Sequence, residues 1–164
     1  MKIWTAQHTF NHPWETVVQA FWKKYPNSMA TIDQDVGLVD RQVKNGELYS
    51  HRLITTKLLP NWACTLMGPI SKFYANEYSE VNRDRRQLKL NRRNISLRPF
   101  VEVQEELIYE PHPDDPQKTL LKQTAYVTVE GLLFSGFIED ILTIKVSVNA
   151  VKRRRAIKLV IKKM

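Results

Sequence analysis

The chain has 164 residues, with 25 Lys+Arg against 17 Asp+Glu and a formal net charge of +8. A chain of ~150 residues buries roughly 70% of its unfolded surface around one core, so residues 1–164 are expected to form a single domain. A hydrophobic fraction of 43% with 10% aromatics excludes intrinsic disorder. The lone Cys64 excludes an intramolecular disulfide and a cysteine-based zinc site, and no run reaches the ~18 uncharged apolar residues of a membrane span.

Residues 2–10 alternate as a strand does and lack the apolar stretch of a signal peptide. Asn11-His12-Pro13-Trp14-Glu15 reads as a helix start with proline in the first turn. Trp14, Val17, Val18 and Phe21 follow at i, i+3, i+4 and i+7, which predicts an amphipathic helix over 13–24. It ends at Tyr25-Pro26-Asn27, because the residue before a proline is pushed out of the α region. Asn45-Gly46, between apolar runs at 36–43 and 48–56, has the composition of a type I′ hairpin turn. Further strands are expected at 73–82, 86–96, 98–110 and 118–130. The proline-dense stretch from Pro111 to Pro116 reads as a loop that stops both strands beside it. After Gly136 the chain reaches Lys163 without glycine or proline, which allows one helix from about Ser135, ~43 Å long.

This order predicts an α+β fold: a curved antiparallel sheet of about six to seven strands, a short N-terminal helix and a long C-terminal helix. A long helix laid across a curved sheet encloses an apolar cavity, and ligand sites favour such places.

The charge is unevenly placed. Residues 145–164 hold eight bases (Lys145, Lys152, Arg153, Arg154, Arg155, Lys158, Lys162, Lys163) and no acid, whereas residues 1–144 hold 17 of each sign. Such a field suits an anionic partner. On a wheel of ~100° per residue with Ile138 at zero, one face of the last helix collects Phe134, Ile138, Ile141, Leu142, Val148, Ala156 and Leu159. Lys145, Asn149 and Lys152 fall in the same sector, while Arg153, Arg154, Arg155, Lys158 and Lys162 mostly point elsewhere. Two readings stand. The lysines snorkel, burying their stems and keeping their ammonium groups wet. Or they point into the cavity, where they stay charged only against a buried anion. Phospholipids combine a bulky apolar body with a compact anion. Lys24, at the end of the first helix, and Arg52, in the second hairpin strand, are candidates to join such a site, or are solvated surface bases.

Residues 58–70 carry no charge and hold two prolines and a glycine. They read either as a core-packed loop or as a lid and membrane contact built on Leu58, Leu59, Trp62, Leu66, Met67 and Ile70, since indole belongs at a bilayer interface. A nucleic-acid-binding domain is the rival from another class, resting on Arg153-Arg154-Arg155 and the bases from Arg83 to Arg93. The aromatics are not interleaved with those bases, as a stacking surface requires, so no nucleic acid is expected. His8, His12, His51 and His112 stand in no metal-ligand spacing and beside no nucleophile, so no catalytic residue, metal or cofactor is expected.

Several segments carry a family resemblance: Lys2-Ile3-Trp4, His12 to Val17, Lys24-Tyr25-Pro26-Asn27, Ser50 to Leu53, Leu59-Pro60-Asn61-Trp62, Asn94 to Leu97, Tyr109 to Pro113, and Val148-Asn149-Ala150-Val151-Lys152. In order and nearly end to end, they resemble the PRELI/MSF1 domain, most of all its slowmo-like branch. The resemblance implies a helix-grip (START-like) fold. It also implies intermembrane transfer of an acidic phospholipid in the mitochondrial intermembrane space, with a small helical partner of the twin Cys-x9-Cys type. Slowmo-like members carry phosphatidylserine and PRELI-like members phosphatidic acid, so the first is favoured and the second is the alternative. By motif, Lys24, Arg52, Lys145 and Lys152 match the family's basic headgroup residues. Ser28 stands where the family often has proline, and Lys152 is followed by Arg153 rather than a small residue.

Overall fold

A computed structural model describes residues 1–23, 34–56 and 73–164. Among these, the chain runs β1 (Lys2–Phe10), α1 (Trp14–Lys23), β2 (Gln34–Lys44), β3 (Glu47–Thr56), β4 (Phe73–Asn82), β5 (Gln87–Asn94), β6 (Val101–His112), β7 (Asp115–Val129) and α2 (Ser135–Lys163). The strands form one antiparallel sheet in the order β1-β7-β6-β5-β4-β3-β2. Strands β2 to β7 are thus a meander of sequence neighbours, and β1 closes it by pairing with β7 from Lys2↔Val127 to Phe10↔Thr119.

Local chemistry sets the turns and ends. Asn45 (φ 54) and Gly46 (φ 78) both take positive φ, the type I′ geometry that matches the twist of β2 and β3. Pro13 accepts the first bond of α1 through its carbonyl, from the Val17 N–H at 3.1 Å. The proline-dense stretch does not stop its strands as expected. β6 runs through Pro111 to His112 and β7 starts at Asp115, with a register shift between Pro111 and His112. The prolines are tolerated because this hairpin overhangs the sheet: β5 pairs with β6 only to Tyr109 and β1 with β7 only from Thr119. No ladder bond is asked of the missing N–H groups on the open sides.

Two apolar clusters hold helices to the concave face. Trp14, Val17, Val18, Ala20 and Phe21 of α1 pack with Val81, Leu88, Leu90, Leu107, Tyr109 and Leu121 of the sheet and with Ile157 and Val160 of α2. Trp14 adds a directional anchor, its indole N–H donating to the Tyr109 carbonyl at 3.0 Å. At the other end, Leu142 and Val146 of α2 pack on Val101, Val103, Ala125, Val127 and Val129.

The face that α2 turns to the sheet differs from the expected one. It carries Glu139, Leu142, Val146, Asn149, Ala150, Arg153, Ala156, Ile157 and Val160, whereas Phe134, Val148 and Leu159 are exposed. Apolar residues lie on two sides of this helix, so counting them did not define the buried side. Arg153, expected to point elsewhere, is buried against the sheet.

Candidate functional site

Between the two clusters the concave face is polar. Arg52 (β3), Glu77 (β4), Arg92 (β5) and Glu105 (β6) stand directly opposite one another across four adjacent strands. All four are buried. Arg92 Nε donates to Glu77 Oε2 at 2.5 Å, and Arg52 Nη1 lies 3.6 Å from Glu77 Oε1. Arg153 descends from α2 onto Glu105, Nη1 to Oε2 at 2.8 Å, and Gln123 of β7 approaches the same oxygen at 3.4 Å. Burial pushes the Glu105 carboxyl up, but Arg153 and Arg92 beside it pull it further down, so it lies below the ordinary carboxylate range. The alternation of sign is what makes such a row tolerable in a low-dielectric interior, because each charge has an opposite neighbour.

Arg52 therefore points inward, settling a direction that alternation had left open. Its guanidinium also lies over the rings of Trp22 at 4.2 Å and Phe21 at 5.8 Å, so α1 covers it with aromatic faces. Asn149 is buried on the contact face of α2. Lys145 and Lys152 sit half-buried on one flank of that face, a turn to either side of Asn149 along the helix. Lys24 and the expected lid residues Leu58, Leu59, Trp62, Leu66, Met67 and Ile70 lie outside the described residues.

None of Glu77, Arg92, Glu105, Gln123 and Arg153 was expected from sequence to face this site; Arg92 and Arg153 entered as bases of the nucleic-acid rival. The period-2 signal was available: Glu105 stands between Val103 and Leu107 at i±2, and Arg92 two residues beyond Leu90, so each shares the parity of the core.

His8 of β1 faces α2. Burial first, and then the Lys158 and Arg154 charges, lower its imidazole to about 4. A concavity of about 990 Å³ opens between α1 and the β2–β3 turn, walled by Trp14, Val18, Trp22, Val43, Leu48 and Val81.

The model of the PRELI-like family matches residues 15–164. The chain belongs to the PRELI-like family. Among relatives of this PRELI-like chain, protein UPS2, mitochondrial, of Saccharomyces cerevisiae is 36% identical over 80% of the chain and 59% of its own length. The UPS-like protein C36.10 of Schizosaccharomyces pombe is 38% identical over 77% of the chain and 70% of its own length. PRELI domain-containing protein 1, mitochondrial, of Gallus gallus is 26% identical over 93% of the chain and 73% of its own length. The PRELI-like chain is thus a homologue of mitochondrial proteins, and it spans 59% of the length of UPS2. In fold it is similar to the Zhui aromatase/cyclase of Streptomyces sp. R1128, with a TM-score of 0.68, 13% identity, and coverage of 99% of this chain and 95% of that one. The architecture is helix-grip, or START-like: a curved antiparallel sheet with a long C-terminal helix laid against it.

Proposed function

We propose that this chain, as one domain, transfers an acidic phospholipid between mitochondrial membranes in the intermembrane space, with phosphatidylserine preferred over phosphatidic acid. The reading is carried by one observation: a guanidinium-rich polar band buried between two apolar clusters on the concave face of a PRELI-like fold. A diacyl lipid asks for that combination. Taking it from a bilayer exposes roughly 30 methylenes at ~0.8 kcal/mol each, about 24 kcal/mol to be offset by apolar walls. Its phosphate must keep charged partners once dehydrated. Lys24, Arg52, Lys145, Asn149 and Lys152 are proposed to hold the headgroup, and Leu58, Leu59, Trp62, Leu66, Met67 and Ile70 to cover the apolar chains and touch the membrane. No covalent step and no cofactor enter this cycle. A small helical twin Cys-x9-Cys protein is the proposed partner.

The test is liposome-to-liposome transfer of fluorescent phosphatidylserine and phosphatidic acid. Lys145→Ala with Lys152→Ala is expected to abolish transfer of both while leaving the circular dichroism unchanged. Unaltered transfer removes the assigned headgroup role. Faster native transfer of phosphatidic acid reverses the proposed preference, and consumption of the lipid overturns the transfer reading in favour of an enzyme.

A further inference from the structure

The side of α2 turned away from the sheet is apolar as well. At ~100° per residue, Phe137, Ile144, Val148 and Val151 fall about 150–180° from the buried sector centred on Val146 and Arg153, with the half-buried Ile141 at the edge of the same stripe. Phe137 and Ile144 are 60% and 62% exposed, and Val148 and Val151 are exposed too. The stripe continues into the turn before the helix, where Leu133 and Phe134 are 84% and 79% exposed. Phe134 holds its exposed ring with φ 59, a left-handed conformation that a bulky residue rarely adopts, and makes no side-chain cap to α2. Local stability would favour glycine or asparagine there.

Two further observations say what this side contacts. Ser147, at the border of the stripe, turns its hydroxyl back onto its own helix, Oγ donating to the Ile144 carbonyl at 2.7 Å, and the exposed Asp140 on the same border is paired with Lys2 at 3.0 Å. A surface that presents few unsatisfied polar groups suits an environment that cannot hydrogen-bond to them. Beyond Val151 the same side turns basic, with Arg155 and Lys162 on the stripe and Lys158 beside it, all exposed. No acid occurs after residue 144 to oppose them. An apolar stretch continued by bases is the pattern of a helix lying in the interface of an anionic bilayer. The helix is not long and apolar enough to cross one. A second copy of the chain fits less well, since its own α2 brings the same positive charge.

We infer that the outer side of α2, from Leu133 to Val151 with the bases beyond, is the surface on which this protein docks on an acidic membrane. Phe137, Ile144, Val148 and Val151 sit at the acyl boundary, while Arg155, Lys158 and Lys162 lie among the anionic headgroups. This surface is distinct from the proposed headgroup site and lid. The inference rests on the transfer reading for its purpose, yet docking is measurable without transfer, so the two fail separately.

The experiment is flotation of the full chain with vesicles of phosphatidylcholine containing about 30 mol% phosphatidylserine. Ile144→Asp with Val148→Asp is expected to weaken binding at least tenfold, while Thr124→Asp on the convex side of the sheet leaves it unchanged. Because an aspartate pair on a helix could disturb folding, Phe137→Trp supplies a second readout: measured as the difference from the native chain, whose four tryptophans set the baseline, the added emission should shift to the blue on vesicle addition and be quenched by lipids brominated along the acyl chain. Native-like binding by the aspartate pair, or a tryptophan whose emission the vesicles do not move, overturns the inference. So does a pair that binds vesicles normally but loses self-association or a helical protein partner. Transfer that fails while docking persists counts against the function and not against this surface.

Discussion

Glu105 depends on Arg153 more than any surface pair depends on its partner. The carboxylate is buried, with the Arg153 guanidinium bonded at 2.8 Å, a weaker amide contact from Gln123 and the charge of Arg92 beside it. Removing one member of a buried pair leaves the other dehydrated and uncompensated, at a cost of about 3–5 kcal/mol. Arg153→Met is therefore expected to lower stability by that amount in urea unfolding. Adding Glu105→Gln should recover more than half of it, because the orphaned charge is gone; additive losses would show that the pair is not coupled. His8 gives a separate signature in pH. Its folded imidazole titrates at about 4, against an ordinary value of 6.5. As pH falls the unfolded chain takes up that proton first, so stability complete above 6.5 is lost as pH falls from 6.5 towards 4. His8→Phe should flatten the urea midpoint over that window and leave the steeper loss below it, where Glu105 is protonated, in place.

At the scale of the element, α2 is where sequence and structure diverge most. The strands were legible because a half-buried strand has a period of two: β1, β4 and the Asn45-Gly46 hairpin stand within two residues of their expected places. The length of α2 was legible too, since nothing breaks it between Gly136 and Lys163. Its orientation was not, because Ile144 and Val148 on one side compete with Val146 and Ile157 on the other, and only the neighbouring elements decide. The same ambiguity hid the inward-facing Arg153 while bringing out the headgroup candidate Asn149. Truncation separates the sides. Ile157→Ala, fully buried between α1 and the sheet, should cost about 2–5 kcal/mol. Val148→Ala, which the sequence wheel had placed inside, should change stability by no more than about 0.5 kcal/mol. Equal costs would mean that the outer side is covered in the folded monomer.

For the whole molecule, the notable feature is a core divided in two by charge. Among the described residues, the row from Arg52 to Glu105 and the Arg153 that descends on it lie between the cluster around Phe21 and the one around Val127. An apolar filling of that level would join them into one core. Replacing buried ion pairs by well-packed apolar groups is often neutral or stabilising, so stability alone does not account for the row. The proposed binding role would account for it, and it has a thermodynamic consequence. A ligand that binds the folded chain alone raises stability by RT ln(1 + [L]/Kd), about 2.7 kcal/mol at a hundredfold excess over Kd. For a domain of this size each kcal/mol moves the melting temperature by roughly 2–4 °C or somewhat more. Short-chain phosphatidylserine, kept below its micelle concentration, should therefore raise the melting temperature by about 5–10 °C at saturation. The matched phosphatidylcholine has the same phosphate but a cationic choline and no net charge, and should raise it far less. Lys145→Ala with Lys152→Ala should remove most of the shift without lowering the melting temperature of the unliganded chain by more than a degree or two, since both side chains are half-exposed. Equal shifts from the two lipids would mean that the acyl chains alone are recognised, and the charged row would then need another explanation.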